Sequence, residues 1–178
     1  MRPQPAQVFL FSSDVTKYHL FATFEKMESE RIFTEVLNMV PQQPPFRFID
    51  EITFLEHNRI EGNYFLKETL DFYKGHFPGF PVTPGVIQIE IMAQIGMVAF
   101  GIYLLMLEGE TAFKNMAALL TETNIKFKKQ VFPGQKVFVL SEKILFRHGR
   151  LRCNVSLKNS QNELLCNGNM SGMLFIKT

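Results

Sequence analysis

A long apolar segment, Gly85–Leu107, restricts the possible folds of this chain more than any other feature. Its strongly polar side chains are Gln88, Glu90 and Gln94, and the segment is long enough to cross a bilayer. A carboxylate inside a membrane span is costly, however, and the chain that follows alternates between apolar and polar residues, as β-strands do. We therefore predict a buried core helix covered by a sheet, without a membrane span.

The chain before this helix predicts one helix and two strands. An amphipathic pattern predicts a helix over Ser29–Met39, which the prolines after Met39 end. Residues 1–26 have no clear period, so we interpret them as an N-terminal extension, either disordered or preceding a true start at Met27, and place the folded domain at residues 27–178. Alternation predicts a first strand over residues 46–54 and a second over Arg59–Leu66.

Four further strands are predicted after the core helix. Short turns separate them, including Pro133-Gly134 and His148-Gly149, so we expect three consecutive hairpins and an antiparallel sheet. The order of strands, long helix and strand meander is typical of an α+β fold in which the sheet curls around the helix. The predicted strands are Leu119–Val131, Gln135–Arg147, Arg150–Asn159 and Leu164–Lys177.

Composition narrows the class of protein. A chain of 178 residues with 46% hydrophobic content is long enough for one domain with a sizeable core. A net charge of +2 gives no reason to expect binding to nucleic acid or to a membrane surface. Cys153 and Cys166 fall in strands that we expect to be neighbours, so a disulfide is geometrically conceivable, but no metal-ligand spacing occurs. The N-terminal apolar run is too short for an export signal, and we expect a cytoplasmic protein.

The residues from Gly75 to Glu90 carry the candidate chemistry. His76 lies in a loop rich in glycine and proline, and Glu90 interrupts the apolar start of the core helix. Glu90 and Gln94 are four residues apart on one helix face, which lies either in solvent or along a substrate cleft. The amides of Gly85 and Val86 at the helix start suit a developing negative charge.

A base, an acid and an oxyanion donor together favour proton abstraction beside a carbonyl, coupled to loss or gain of a leaving group. Acyl transfer stays open on these residues alone. A structural role for His76 also stays open, because neutral histidine serves packing as well as acid/base chemistry.

Two motifs carry a family resemblance. Gly-His-Phe-Pro-Gly-x-Pro-x-x-Pro-Gly-Val begins at Gly75, and Glu-x-x-Ala-Gln begins at Glu90. Together they resemble the 3-hydroxyacyl-(acyl carrier protein) dehydratases of the FabZ type, and the likeness extends over roughly residues 30–178. It implies a hotdog fold, in which an antiparallel sheet wraps a long central helix.

The resemblance also implies roles for particular residues. His76 corresponds to the base that removes the C2 proton, Glu90 to the acid that helps expel the 3-hydroxyl, and Gly85 to the amide that binds the thioester carbonyl. Phe77, Val86 and Gln94 are expected at the substrate. Glutamate rather than aspartate at position 90 favours dehydration without isomerisation of the double bond.

The family forms its sites across a dimer interface, so the resemblance implies at least a homodimer, and a trimer of dimers is left open. It implies acyl carrier protein as partner, with the substrate on its phosphopantetheine arm and no resident cofactor or metal. Basic residues on the predicted strands form either a docking patch for this acidic carrier or an ordinary solvated strand face. They are Lys126, Lys128, Lys129, Arg147, Arg150 and Arg152.

Departures from the family pattern occur at Phe80, Thr83 and Ile91, where the family more often has a polar or basic residue, methionine and alanine. We expect them to affect the range of substrates more than the type of reaction. Fatty acid synthesis and a related polyene or pigment pathway are both compatible with the sequence. A hotdog acyl thioesterase and a catalytically silent acyl-binding subunit are the alternative functions.

Overall fold

The computed structural model describes residues 13–110 and 113–176 of the chain, which form four α-helices, a π-helical segment, a 3₁₀ turn at Phe113–Asn115 and six strands. The helices are α1 Ser13–Met39, α2 Phe72–Gly75, α3 Gly85–Ala93 and α4 Phe100–Leu107. The strands are β1 Glu51–Glu56, β2 Arg59–Phe65, β3 Met116–Phe127, β4 Lys136–Arg147, β5 Arg150–Asn159 and β6 Leu164–Ile176. One antiparallel sheet contains all six strands, so the predicted α+β class is confirmed.

Helix α1 is longer than the sequence predicts, because it begins at Ser13 rather than near Ser29. Side chains over residues 22–31 are mostly exposed. A solvated helix needs no apolar stripe, so periodicity gave no sign of it. The chain divides into two compact units between Ile32 and Phe33, and residues 1–12 of the predicted extension lie outside the described residues.

The predicted core helix occupies Gly85–Leu107, here called the central helix. It consists of α3, a π-helical segment Gln94–Ala99 and α4. Its length and composition would suit a membrane span, but 72% of that window is buried inside the protein, as expected of a core helix. The largest buried side chains on it are Ile91, Met92, Ile95, Phe100, Ile102 and Leu104.

The sheet has the order β1-β2-β4-β5-β6-β3. Hairpins join β4 to β5 and β5 to β6, as predicted, but the expected hairpin between β3 and β4 is wrong. Strand β3 instead pairs with β6 along its whole length, and β4 pairs with β2. As a result β3 lies at one edge of the sheet.

The turn at Pro133-Gly134 explains this crossing. The N–H of Gly134 donates to the carbonyl of Leu66 at 2.7 Å, and the N–H of Leu66 donates to Gln135 at 2.9 Å. These bonds hold the connection against the end of β2, so β4 continues beside β2 rather than folding back on β3. Turn residues predict that the chain changes direction, but they do not predict which strand the next strand will pair with.

Strand bounds agree well with the sequence for β2, β4, β5 and β6, whereas β3 begins three residues and ends four residues before the predicted Leu119–Val131. Strand β5 occupies the predicted residues, and β2 ends one residue earlier than predicted. Strand β1 begins at Glu51, so the alternating Phe46 and Phe48 precede the ladder. Phe48 is nevertheless buried, and this explains why the apolar residue at this position fitted the pattern of a strand.

The two cysteines are free thiols in the core. Strands β5 and β6 are neighbours as expected, but Cys153 lies opposite Met170 and Cys166 lies opposite Leu157. This register separates the thiols along the ladder, so the structure contradicts the conceivable disulfide. Burial raises the pKa of Cys153 to about 11 and that of Cys166 to about 12.

Close packing at Gly96 brings the central helix against the sheet. A Cβ on Gly96 would lie 2.8 Å from Cβ of Ser141 and 3.4 Å from Val155. The hydroxyl of Ser141 donates to the Gly96 carbonyl at 2.9 Å. Because the nearest obstacle is a Cβ fixed to β4, the sheet has little freedom to move away.

We predict that Gly96→Ala lowers the free energy of unfolding by about 1–3 kcal/mol, since overpacking exceeds the helix propensity gained, which is about 1 kcal/mol. Urea denaturation monitored by circular dichroism measures the change. The matched control is Gly75→Ala, where a Cβ would meet nothing within 4 Å. An unchanged midpoint in Gly96→Ala would show that helix and sheet can separate at this point.

Candidate active site

His76 lies immediately after the short helix α2, in the loop that leads to the central helix. Its N–H donates to the carbonyl of Phe72 at 2.9 Å, and its backbone then turns to φ −86° and ψ 94°. The next residue, Phe77, has a φ of 58°, an unfavourable left-handed conformation for an aromatic residue. Such strain persists only where the surrounding contacts fix the chain, so the loop is rigidly determined.

The imidazole of His76 is fixed in one orientation. Nδ1 lies 2.9 Å from the carbonyl oxygen of Val82. Because a carbonyl only accepts, Nδ1 carries a proton and donates it to this bond. The neutral ring therefore keeps its lone pair on Nε2, which is the atom able to act as a base. The Phe77 ring lies beside it, with 4.2 Å between the ring centroids.

Glu90 lies on α3 and is half-buried. One carboxylate oxygen accepts a hydrogen bond of 2.8 Å from Nε2 of Gln94. The residue borders a narrow cleft of about 50 Å³ between the central helix and the sheet edge. The lining is mostly apolar and comprises Gln42, Glu90, Ala93, Met97, Val98, Ala118, Leu119, Leu120, Gly172, Met173 and Leu174.

Gln94 is placed differently from the expectation that it contacts substrate. Its side chain is 0% exposed, and both ends of its amide are occupied. The amide oxygen accepts from the N–H of Phe48 at 2.6 Å, and Nε2 donates to the Phe46 carbonyl at 2.9 Å as well as to Glu90. This geometry contradicts both a solvated stripe and a substrate contact. Gln94 instead connects the acid to the segment before β1.

The first turn of α3 begins directly after Pro84. The backbone hydrogen bonds of this turn start with the N–H groups of Ile87 and Gln88, which both donate to the Pro84 carbonyl. The preceding amides of Gly85 and Val86 belong to the unpaired donors that every helix start presents. A Cβ on Gly85 would lie 2.9 Å from the Phe127 ring, so any larger residue here would require that ring to shift.

Sequence reasoning missed Phe127, which lies at the end of β3 between Lys126 and Lys128. Its ring is 48% exposed. An aromatic residue flanked by lysines was visible in the sequence, but its proximity to Gly85 depends on how β3 is placed in the sheet. Gln42, which borders the cleft beside Glu90, was missed for the same reason, because its position depends on tertiary contacts.

The three departures from the family pattern lie in different surroundings. Phe80 is exposed and its ring meets Phe132 edge-on, with 5.8 Å between centroids. Thr83 is buried and its hydroxyl lies 2.6 Å from that of Tyr73. Ile91 is buried in the core. Phe80 is therefore the departure that an external partner can reach directly.

The predicted basic patch does not form one surface. Lys126 pairs with Asn167, which lies opposite Ser156 of β5, whereas Arg150 begins that strand. Six residues of strand separate the two rows, about 20 Å at 3.3 Å per residue. The lysines therefore lie at the end of the sheet near Gly85 and the arginines at the other end. The correction comes from the antiparallel register, which sequence spacing does not reveal.

Within one protomer the described residues show no hydrogen bond between His76 and Glu90. His76 is bonded to Val82, Glu90 to Gln94, and the cleft beside Glu90 is lined without His76. The chain nevertheless supplies an oriented base, a positioned carboxyl group and free amides at a helix start. These groups suffice chemically for proton removal and return beside a carbonyl.

Comparison with known proteins gives the family. The model of the FabA-like domain matches residues 40–168. A relative in Bacillus velezensis, named 3-hydroxyacyl-(acyl-carrier-protein) dehydratase FabZ, is 32% identical over 138 residues, which are 77% of this chain and 93% of the relative. The FabZ of Geotalea uraniireducens is 34% identical over 65% of this chain and 77% of its own length.

Among solved structures, the dehydratase heterocomplex ApeI:P from Xenorhabdus doucetiae aligns with a TM-score of 0.67 at 13% identity, covering 80% of this chain and 91% of that one. At this identity the likeness shows the fold alone, and it confirms the hotdog arrangement expected from the sequence. Taken with the match over residues 40–168 and the FabZ relatives, it shows that this chain belongs to the FabA-like dehydratase family, with the FabZ-type resemblance confirmed.

Proposed function

We propose that this protein is a (3R)-3-hydroxyacyl-(acyl carrier protein) dehydratase, a hydro-lyase that reversibly removes water to give the trans-2-enoyl thioester. The observation that carries the proposal is the hydrogen bond from His76 Nδ1 to the Val82 carbonyl, which leaves Nε2 as a base. The names and identities of the FabZ relatives support the same reaction.

In the proposed reaction, Nε2 of His76 takes the C2 proton of the acyl chain. The electron pair of that C–H bond forms the C2=C3 double bond while the C3–O bond breaks. The carboxyl group of Glu90 gives its proton to the departing hydroxyl, so that water leaves. The amides of Gly85 and Val86 stabilise negative charge on the thioester oxygen. The reverse sequence hydrates the enoyl thioester.

A homodimer is the minimal unit of the proposal, with a trimer of dimers as a further arrangement. Strand β3 is a long edge strand whose Leu119 and Leu120 are 58% and 43% exposed. An unpaired apolar edge invites pairing with a second chain. The cleft beside Glu90 is lined by these same residues, so a second copy at this edge would approach Glu90. That copy would supply the histidine.

The substrate would be carried by acyl carrier protein on its phosphopantetheine arm, and the reaction needs no resident cofactor. The exposed lysines near Phe127, namely Lys126 and Lys128, lie at the end of the sheet where Gly85 begins the central helix. They suit an acidic carrier better than the distant arginines. We place the enzyme in the cytoplasm, in fatty acid synthesis or a related polyene or pigment pathway.

We predict that His76→Ala and Glu90→Gln each lower kcat on the order of a hundredfold or more, because each removes one proton-transfer group. The assay offers 3-hydroxyacyl thioesters of varied length and monitors enoyl absorbance together with release of free thiol. The matched controls are His57→Ala, on the exposed β1–β2 turn, and Glu56→Gln, at the exposed end of β1, and both should keep wild-type rates.

Thiol release without enoyl formation would favour the thioesterase alternative. No turnover of any hydroxyacyl thioester would favour the silent acyl-binding subunit. Full activity in both site variants would refute the assignment of His76 and Glu90.

Mixed dimers test whether the site is shared. A dimer with one His76→Ala and one Glu90→Gln protomer should recover about half of wild-type activity, since one of its two equivalent sites keeps both residues. The reciprocal control joins a wild-type protomer to one with both substitutions, which should be inactive. If each protomer holds its own complete site, the two results exchange.

We predict that Gln94→Leu lowers the free energy of unfolding by about 1–3 kcal/mol, because the backbone groups of Phe46 and Phe48 lose their buried partner. It should also lower kcat, because Glu90 loses its orienting bond. Ser141→Ala is the matched control, since it removes one buried bond to the central helix away from the acid. Equal loss of stability with equal kcat in the two variants would contradict a positioning role for Gln94.

A further inference from the structure

Tyr73 and Thr83 lie at the two ends of the segment that carries His76. Tyr73 belongs to α2, and Thr83 immediately precedes Pro84 and the central helix. The phenol oxygen of Tyr73 lies 2.6 Å from Oγ1 of Thr83. The two residues are 7% and 2% exposed, so water does not compete for this bond.

Thr83 is the fixed end of the pair. Its N–H donates to the carbonyl of Val131, in the connection between β3 and β4, at 2.7 Å. Its own carbonyl accepts from Nε2 of Gln88 on α3 at 3.3 Å. The side-chain bond therefore ties α2 to a residue that the sheet connection and the central helix already hold.

The two bonds that hold His76 lie directly beside this pair. The N–H of His76 is bonded to Phe72, the neighbour of Tyr73, and its Nδ1 is bonded to Val82, the neighbour of Thr83. The distance between α2 and Thr83 thus determines whether both bonds can form together. Because Thr83 stays fixed, breaking the bond between the hydroxyls frees α2, and His76 with it, to move relative to the Val82 carbonyl.

Packing alone gives no reason for hydroxyls at these two positions. An apolar pair of the same shape would fill the space at little cost, whereas one hydroxyl without the other leaves a buried polar group unpaired. The bond adds direction and a fixed length, which apolar contact does not. The left-handed conformation of Phe77, next to His76, also requires a loop whose ends are held firmly.

We propose that Tyr73 and Thr83 are positioning residues for His76, and that their hydrogen bond holds α2 and the imidazole where the Val82 carbonyl keeps Nδ1 protonated and Nε2 available. The inference rests on the proposed function insofar as Nε2 is the base.

The variants are Tyr73→Phe, Thr83→Val, the double variant and Thr83→Ser, all in the full chain. Each single apolar variant should lower kcat about tenfold with KM changed less than about twofold, as expected when a bound substrate meets a misplaced base. The double variant should be no slower than either single one, because all three lack the same bond. Thr83→Ser keeps the hydroxyl and should stay near the wild-type rate.

A second measurement does not depend on turnover. Nitrogen-15 NMR of histidine-labelled protein reports which ring nitrogen carries the proton, and His76→Asn identifies the signal. The wild type should have His76 protonated at Nδ1, whereas Tyr73→Phe and Thr83→Val should give a mixture of the two tautomers. Ser141→Ala, a buried hydroxyl lost elsewhere, should leave the His76 signal unchanged.

An unchanged His76 signal and unchanged kcat in Tyr73→Phe and Thr83→Val, with stability lowered as in Ser141→Ala, would overturn the inference. A double variant whose loss equals the product of the single losses would do so as well. Failure of the proposed function would give a different result, because the wild type would then lack dehydratase turnover. The NMR comparison would still test whether the hydrogen bond between Tyr73 and Thr83 fixes the tautomer of His76.

Discussion

Burial of the central helix is the constraint on which the rest of this structure depends. Gly85–Leu107 is apolar on nearly all sides, so one flat sheet could not cover it. A sheet of six antiparallel strands supplies the cover, and close approach at Gly96 lets the helix lie directly against β4 and β5. The base, the acid and the helix-start amides of the candidate site are all attached to this helix or to the loop that enters it.

Gln94, a polar side chain on this helix, pairs backbone groups that burial would otherwise leave without hydrogen bonds. Gln94 satisfies the backbone of Phe46 and Phe48, which lie beside the helix outside any ladder, and its remaining N–H holds Glu90. Burial and orientation are thus linked, because the residue that allows a polar segment to pack is also the one that aims the acid. In a low-dielectric interior such a network is rigid when complete.

Local pattern predicted most elements of the fold, because alternation and apolar runs record which face of an element is buried. Strands β2 and β5, the central helix and the loop of His76 all follow from it. Apart from the solvated first half of α1, which has no apolar stripe, the predictions that failed concern contacts between distant parts of the chain. The pairing of β3 with β6 and the distance between Lys126 and Arg150 follow from sheet register, which no local spacing encodes. For the same reason the sequence indicated His76 and Glu90 but not the burial of Gln94 or the position of Phe127.

The π-helical segment at Gln94–Ala99 has a consequence for the geometry of the helix as a whole. A π turn accommodates one residue more than an α turn, and one residue corresponds to about 100° of rotation around an α-helix axis. The half that carries Glu90 is therefore out of phase with the half from Phe100 to Leu107. An uninterrupted α-helix would have to compromise between pointing its acid at the cleft and its large apolar side chains at the sheet. The π-helical segment thus sets the angle between the face that carries Glu90 and the face that the second half of the helix presents to the sheet.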